Sequence, residues 1–145
     1  MVRIGDAFKL IRNGASIKQY DDATGLPITR IETISDRIVD RTRMGFANID
    51  DDGKYDDYVL QDNDILMSHI NSEKHLGKVA LYRKKNDEKI IHGMNLLVLR
   101  ADESIINAGY AKYFFESTTF LRQIVNITKK SIISSSFNEF ILKLA

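Results

Sequence analysis

Two carboxylates set two residues apart, Asp62 and Asp64, and an acid run over residues 50–57 are the parts of this chain best placed to do chemistry. Carboxylates that hold magnesium for phosphodiester hydrolysis need further acids or a lysine converging on the same ion. No such spacing follows Asp62 and Asp64, so the pair reads first as a turn, with Asp and Asn side chains bonding nearby backbone N–H groups. A small magnesium nuclease built on residues 50–64 is the enzyme-class rival. Asn48, Asp50, Asp52 and Gly53 match the first, third, fifth and sixth places of an EF-hand loop, but the twelfth place, which needs a bidentate glutamate, is Val59. That stretch reads as a solvated turn. His69, His75 and His92 form neither an HxH nor an HExxH pair, so two imidazoles are not offered to one metal. There is no cysteine, which removes disulfides, thiolate metal sites and a thiol nucleophile. The eight glycines are dispersed and make neither a dinucleotide loop nor a P-loop, and no GxSxG elbow occurs. The sequence gives no catalytic residue and asks for no metal or cofactor.

The elements around these residues point to one domain. The chain has 145 residues, 43% hydrophobic and 28% charged with both signs interspersed, which is enough to bury a core without staples. Ile4, Phe8 and Ile11 at helical spacing behind Asp6, with Gly14 as a stop, predict a short opening helix. After Gly25-Leu26-Pro27, alternation from Ile28 predicts a first strand over residues 28–34. Tyr58-Val59-Leu60 and Ile65-Leu66-Met67 predict two strands around the polar turn Gln61-Asp62-Asn63-Asp64. Residues 78–82, Ile90-Ile91 and residues 94–99 complete a β-rich middle. From Asn107 the spacing of Tyr110, Tyr113, Phe114 and Ser117, then Leu121, Ile124 and Val125, predicts two consecutive helices burying that face, and Asn138 caps a last short one. The expected class is α+β: a mixed or antiparallel sheet of short strands with helices at the N-terminus and in the C-terminal third. No run of about 18 apolar residues and no signal peptide is present, so a cytoplasmic, non-membrane protein is expected.

The net charge of +1 is low for a stand-alone nucleic-acid binder, yet it is unevenly spread. Residues 74–89 set Lys74, Lys78, Arg83, Lys84, Lys85 and Lys89 against only Asp87 and Glu88. The segment from Asn71 to Lys78 carries Asn, Ser, His and Lys side chains that can reach base edges or phosphates, although a solvated hairpin loop has the same composition. Thr128-Lys129-Lys130-Ser131 and Ser134-Ser135-Ser136 offer cations and hydroxyls suited to phosphate.

Taken in order, these pieces resemble the target-recognition domain of type I restriction-modification specificity (S) subunits. The resemblance rests on Gly14 after the opening element, on Gly25-Leu26-Pro27-Ile28-Thr29-Arg30-Ile31, and on the block from Tyr58 to Ser68 centred on Asp64-Ile65-Leu66. It continues through Gly77-Lys78-Val79-Ala80, the strand from Met94 to Arg100 and the helix from Tyr110 to Ser117. Asn63 stands where the family commonly has glycine, a substitution that a left-handed turn tolerates. The chain reads as a single recognition domain over residues 1–145, without the long spacer helix that normally follows one.

The resemblance implies sequence-specific recognition of double-stranded DNA by a non-catalytic subunit. Such a subunit directs a methyltransferase (M) subunit and a restriction (R) subunit to a bipartite site. Base flipping and S-adenosylmethionine would belong to the M subunit, in keeping with the lack of a cofactor motif here. Partners sharing the grip on phosphates would also account for the near-neutral charge. Recognition residues in the family vary with the target, so loop position and chemistry nominate them. Arg30, Ser68, Asn71, Lys74, His75 and Lys78 are the candidates around the central loops, with Lys129 and Lys130 on phosphates; Asp64 and Gly77 are assigned to the fold. The alternative is a truncated remnant, or a protein-interaction module of the same fold without autonomous DNA specificity.

Overall fold

Ile65-Leu66-Met67 and Leu96-Leu97-Val98-Leu99 are unbroken apolar runs, and a strand with no polar face must be covered on both sides. The computed structural model, which describes residues 4–68 and 77–122, does this with a four-stranded antiparallel sheet held between two layers. In chain order the strands are β1 (Phe8–Asn13), β2 (Pro27–Ile28), β3 (Gly45–Phe46), β4 (Ile65–Ser68), β5 (Val79–Leu81) and β6 (Leu96–Ala101). Helix α1 (Ala108–Phe115) follows, and residues 118–122 are again helical. The sheet order is β1-β6-β4-β5, with β2 and β3 forming a separate two-stranded ribbon.

Alternation along the central strands divides the core. Ile65, Met67, Leu97 and Leu99 face Ala111 and Phe115 of α1 and Phe120. Leu66, Leu96 and Val98 face the other way, against Ile34, Leu60, Tyr82 and Ile90. Each such buried aliphatic side chain contributes about 1.5–3 kcal/mol relative to an exposed one. The ribbon joins the sheet through Ile91, which bridges both Ile28 and Val59, and through a close backbone approach at Gly14 and Gly93. A Cβ on Gly14 would lie 2.1 Å from the Gly93 carbonyl oxygen, and one on Gly93 2.2 Å from that of Thr29, so neither site admits a side chain.

The α+β class is as expected, but three elements differ. The opening helix is a single 3₁₀ turn, Ile4–Ala7, and Phe8 to Asn13 is strand β1, paired with β6. A bulge between Phe8 and Leu10 puts Phe8 and Ile11 on the α1 face and Leu10 on the opposite face. The extra residue thus turns a strand's period into a helix-like spacing of three. The expected strand over residues 28–34 stops after Ile28, and Ile31–Ile34 is a 3₁₀ turn. Thr33 decides this: its hydroxyl accepts the Arg30 amide at 2.9 Å and donates to the Arg43 carbonyl, ten residues on, at 2.6 Å. Third, Asp56–Tyr58 is a 3₁₀ turn, and Val59 pairs with Ile91, through the Leu60 amide on the Ile90 carbonyl and the His92 amide on the Tyr58 carbonyl, not across the turn to β4.

The helix from Asn107 forms as expected, with the Asn107 side chain accepting the Tyr110 amide at 3.1 Å. Its buried face is Ala108, Ala111 and Phe115, however, while Tyr110 and Tyr113 are exposed. Ile124, Val125 and the expected last helix after Asn138 lie outside the described residues. Among the described residues no helix is long and apolar enough to cross a membrane.

Candidate nucleic-acid interface

The segment nominated from sequence springs from a rigid base. β4 and β5 pair antiparallel, the Ser68 amide donates to the Lys78 carbonyl at 3.0 Å, and the Gly77 amide donates to the Ser68 carbonyl at 3.0 Å. Gly77 has φ 76°, a left-handed conformation that lets the chain enter β5. Ser68 is buried in this base. Asn71, Lys74 and His75 lie outside the described residues, as do Lys129 and Lys130. Lys78 is half-buried and donates from Nζ to the Ser35 carbonyl at 2.9 Å, which ties the hairpin base to the end of the Ile31–Ile34 turn.

Arg30 stands at the start of that same turn, so the structure brings Arg30 and Lys78 to its two ends. The guanidinium of Arg30 donates from Nε to Gln19 Oε1 at 2.9 Å, from Nη1 to Asp21 Oδ1 at 2.8 Å and from Nη2 to the Tyr20 carbonyl at 3.2 Å. It also lies over β3, where a Cβ on Gly45 would come within 2.6 Å of Nε. Arg30 therefore clamps residues 19–21 to the ribbon and has three of its five N–H donors engaged. A shallow cleft of about 330 Å³ opens beside it, between Ile17, Glu32 and Met94.

Residues 35–44, which link the Ile31–Ile34 turn to β3, border the hairpin base and were not singled out by sequence. The Asp40 amide donates to the Thr33 carbonyl at 2.8 Å, and Arg43 bonds Ser35 Oγ at 2.6 Å while pairing with Asp36 at 3.2 Å and Asp40 at 3.3 Å. The Thr42 hydroxyl, donating to Asp40 Oδ1 at 2.6 Å, holds that carboxylate below its usual pKa.

The far end of this loop is anchored by Arg41. Its guanidinium grips Glu88 at 2.9 Å and 2.5 Å and reaches the Arg83 carbonyl at 2.8 Å, and the buried Tyr82 hydroxyl donates to Glu88 at 2.9 Å. The Arg41 hydrogen bonds, helped by the Lys85 amide and Tyr82, lower the Glu88 pKa from 4.5 to about 2, and burial pushes the Tyr82 phenol up. A depressed carboxylate stabilises the fold fully above its unfolded value, and that contribution is lost as pH falls from 4.5 towards 2. Glu88→Gln is expected to cost about 1–3 kcal/mol at pH 7, with the gap to wild type closing as pH falls through that window. Urea unfolding of both proteins at neutral and acid pH measures this. A gap that stays constant with pH would contradict it.

The acidic candidates for chemistry are occupied by the fold. Asp64 is fully buried and takes Arg100 Nε at 2.8 Å and Nη2 at 2.9 Å, and its Oδ2 also accepts the Gln61 amide at 2.8 Å. Those bonds raise the Arg100 pKa above its usual value. Asp62 points elsewhere, accepting the Lys84 amide at 2.9 Å. Asn63 between them has φ 71°, the left-handed turn conformation read from the sequence. In the acid run, Asp51 pairs with Lys89 at 2.9 Å and Asp52 accepts the Lys54 amide at 3.0 Å. His92 is buried, with Nε2 2.8 Å from the Leu96 carbonyl oxygen. Among the described residues no group of three or more His, Cys, Asp or Glu side chains could hold a metal ion.

No family model matches the chain. It is 44% identical over 141 residues, 95% of its length, to a Methanocaldococcus jannaschii protein assigned as the specificity subunit of the type I restriction enzyme MjaX. It is 26% identical over 120 residues to the specificity subunit of the type I restriction enzyme EcoKI of Escherichia coli K12. The chain spans 32% and 25% of the lengths of these two relatives. Its fold matches, over 99% of the chain, 36% of a chain in a solved structure concerned with complex assembly and conformational transition of a type I restriction-modification system. The TM-score there is 0.63 at 15% identity. Over nearly its whole length the chain is thus similar to a part of type I restriction enzyme specificity subunits, the family whose target-recognition domain its motifs resemble.

Proposed function

We infer that this domain reads one half of a bipartite double-stranded DNA target as part of a type I specificity subunit. It does no chemistry itself and directs methyltransferase and restriction subunits, in the cytoplasm, to the site. The observation that carries this reading is the 44% identity to a specificity subunit sustained over 141 residues. The geometry is compatible with it. The hairpin base of Ser68, Gly77 and Lys78 and the loop of residues 35–44 are braced against a sheet buried on both faces, so contacts made there need little ordering on binding. Arg30 and Lys78, with Asn71, Lys74, His75, Lys129 and Lys130 outside the described residues, are the proposed DNA-contacting set, and the buried Ser68 positions the hairpin base that carries them.

Selection from a randomised duplex library by the purified chain, alone and with a type I methyltransferase subunit, tests the reading. The expected result is a single enriched motif of about three to five base pairs whose affinity falls as salt rises. Failure to enrich any motif with the methyltransferase subunit present would overturn it in favour of a protein-interaction module or remnant.

A further inference from the structure

One residue in the loop of residues 35–44 adopts a backbone conformation that its own side chain disfavours. Arg37 has φ 64°, a region that costs an L-residue with a Cβ about 1–2 kcal/mol and that glycine enters freely. The turn itself needs only the Arg37 amide, which donates to the Ile34 carbonyl at 3.0 Å, and glycine would supply that equally well. Among the described residues the guanidinium meets nothing that repays the strain. It is exposed and meets no partner among the described residues, whereas Arg30, Arg41 and Arg43 nearby are all in ion pairs. Ile38 beside it is 62% exposed. Everything around the two is fixed, by Lys78 on Ser35, by Asp40 on Thr33 and by Arg41 on Glu88. The neighbouring carboxylates Asp36 and Asp40 are both held by Arg43, so they do not compete for Arg37.

A strained, unengaged arginine next to an exposed aliphatic residue, on a braced loop beside the hairpin base, fits a ligand surface that presents acceptors and a hydrocarbon patch together. The major groove of duplex DNA does so: guanine offers O6 and N7 to the planar guanidinium fork, and thymine offers a methyl group to an aliphatic side chain. A phosphate contact needs the charge alone and would leave Ile38 without a role.

We propose that Arg37 and Ile38 are specificity-determining residues, Arg37 pairing with a guanine edge and Ile38 packing on the adjoining base in the major groove. This rests on the DNA-recognition reading above. The test repeats the library selection with Arg37→Ala, Arg37→Lys, Arg37→Gly and Ile38→Ala, then measures each variant on a labelled duplex carrying the motif selected by wild type. A G·C position in the wild-type motif should become degenerate in all three Arg37 variants, with affinity for the wild-type duplex reduced about 5- to 150-fold. Arg37→Gly should lose this affinity while melting no lower than wild type, because the backbone strain is relieved. Ile38→Ala should relax the neighbouring position.

Unchanged motif and affinity in the Arg37 variants would overturn the proposal while leaving the domain's DNA reading intact. A uniform loss across sequences with a shallower salt dependence would overturn it by making Arg37 a phosphate contact. Weakened methyltransferase association with unaltered DNA binding would overturn it in favour of a protein contact. If wild type itself selects no motif, the DNA-recognition reading fails and this proposal fails with it.

Discussion

Asp64→Ala is expected to lower the unfolding free energy by about 3–5 kcal/mol, a large share of the 5–15 kcal/mol typical of a domain. The carboxylate is fully buried and Arg100 on β6 is 22% exposed, so the pair is shielded from solvent on one side and nearly so on the other. Removing the acid leaves a half-buried guanidinium without its counter-charge and the Gln61 amide without its acceptor. The same turn carries the left-handed Asn63, whose amide reaches the Tyr82 carbonyl at 2.8 Å, so the join between β4 and β5 loosens with it. Asp62→Ala removes only an exposed bond to the Lys84 amide and should cost about 1 kcal/mol or less. Urea unfolding curves of the two variants provide the comparison. Similar small losses from both would mean that the Asp64–Arg100 pair is not what secures the turn. The magnesium-nuclease rival makes the opposite forecast, in which both variants fold normally and lose cleavage.

The features legible in the sequence were those decided by neighbours a few residues away. The polar turn at residues 61–64, the apolar runs that became β4, β5 and β6, and the start of a helix at Asn107 all follow from local chemistry. The order of these blocks carried the resemblance to type I specificity subunits, which the relatives and the fold support. What could not be read was decided across the fold. Phe8 and Ile11 have a helix's spacing because a bulge skips Lys9, and only pairing with β6 discloses the strand. Ile28 to Ile34 alternates like a strand, yet Thr33 reaches the distant Arg43 carbonyl and folds the segment into a turn. Within the candidate interface, the burial of Ser68, the tether from Lys78 to Ser35 and the engagement of Arg30 by residues 19–21 are likewise tertiary facts. Arg37 left no trace in the sequence, since an arginine's type says nothing about a positive φ imposed by the hydrogen bonds around it.

The face of α1 can be settled by two substitutions on one helix. Sequence spacing put Tyr110 and Tyr113 on the buried side, whereas the structure buries Ala108, Ala111 and Phe115 and leaves Tyr113 79% exposed. Phe115 packs among Phe8, Phe114 and Phe120 with ring centroids 5.8, 5.7 and 4.9 Å away, covering the sheet face formed by Ile65, Met67, Leu97 and Leu99. Phe115→Ala opens a cavity there and is expected to cost about 3–5 kcal/mol. Tyr113→Ala should change stability by no more than about 0.5 kcal/mol. Equal effects, or a larger one at Tyr113, would reverse the assignment of the helix face. The Phe115 cluster lies on the sheet face opposite the one that packs against Ile34, the last residue of the turn leading into residues 35–44. Phe115→Ala should therefore weaken DNA binding only in proportion to the unfolded fraction, and an osmolyte that restores the fold should restore the affinity. The Arg37 variants should show the reverse pattern, with affinity lost at full stability. Measuring both quantities on both sets of variants separates the scaffold from the reading surface.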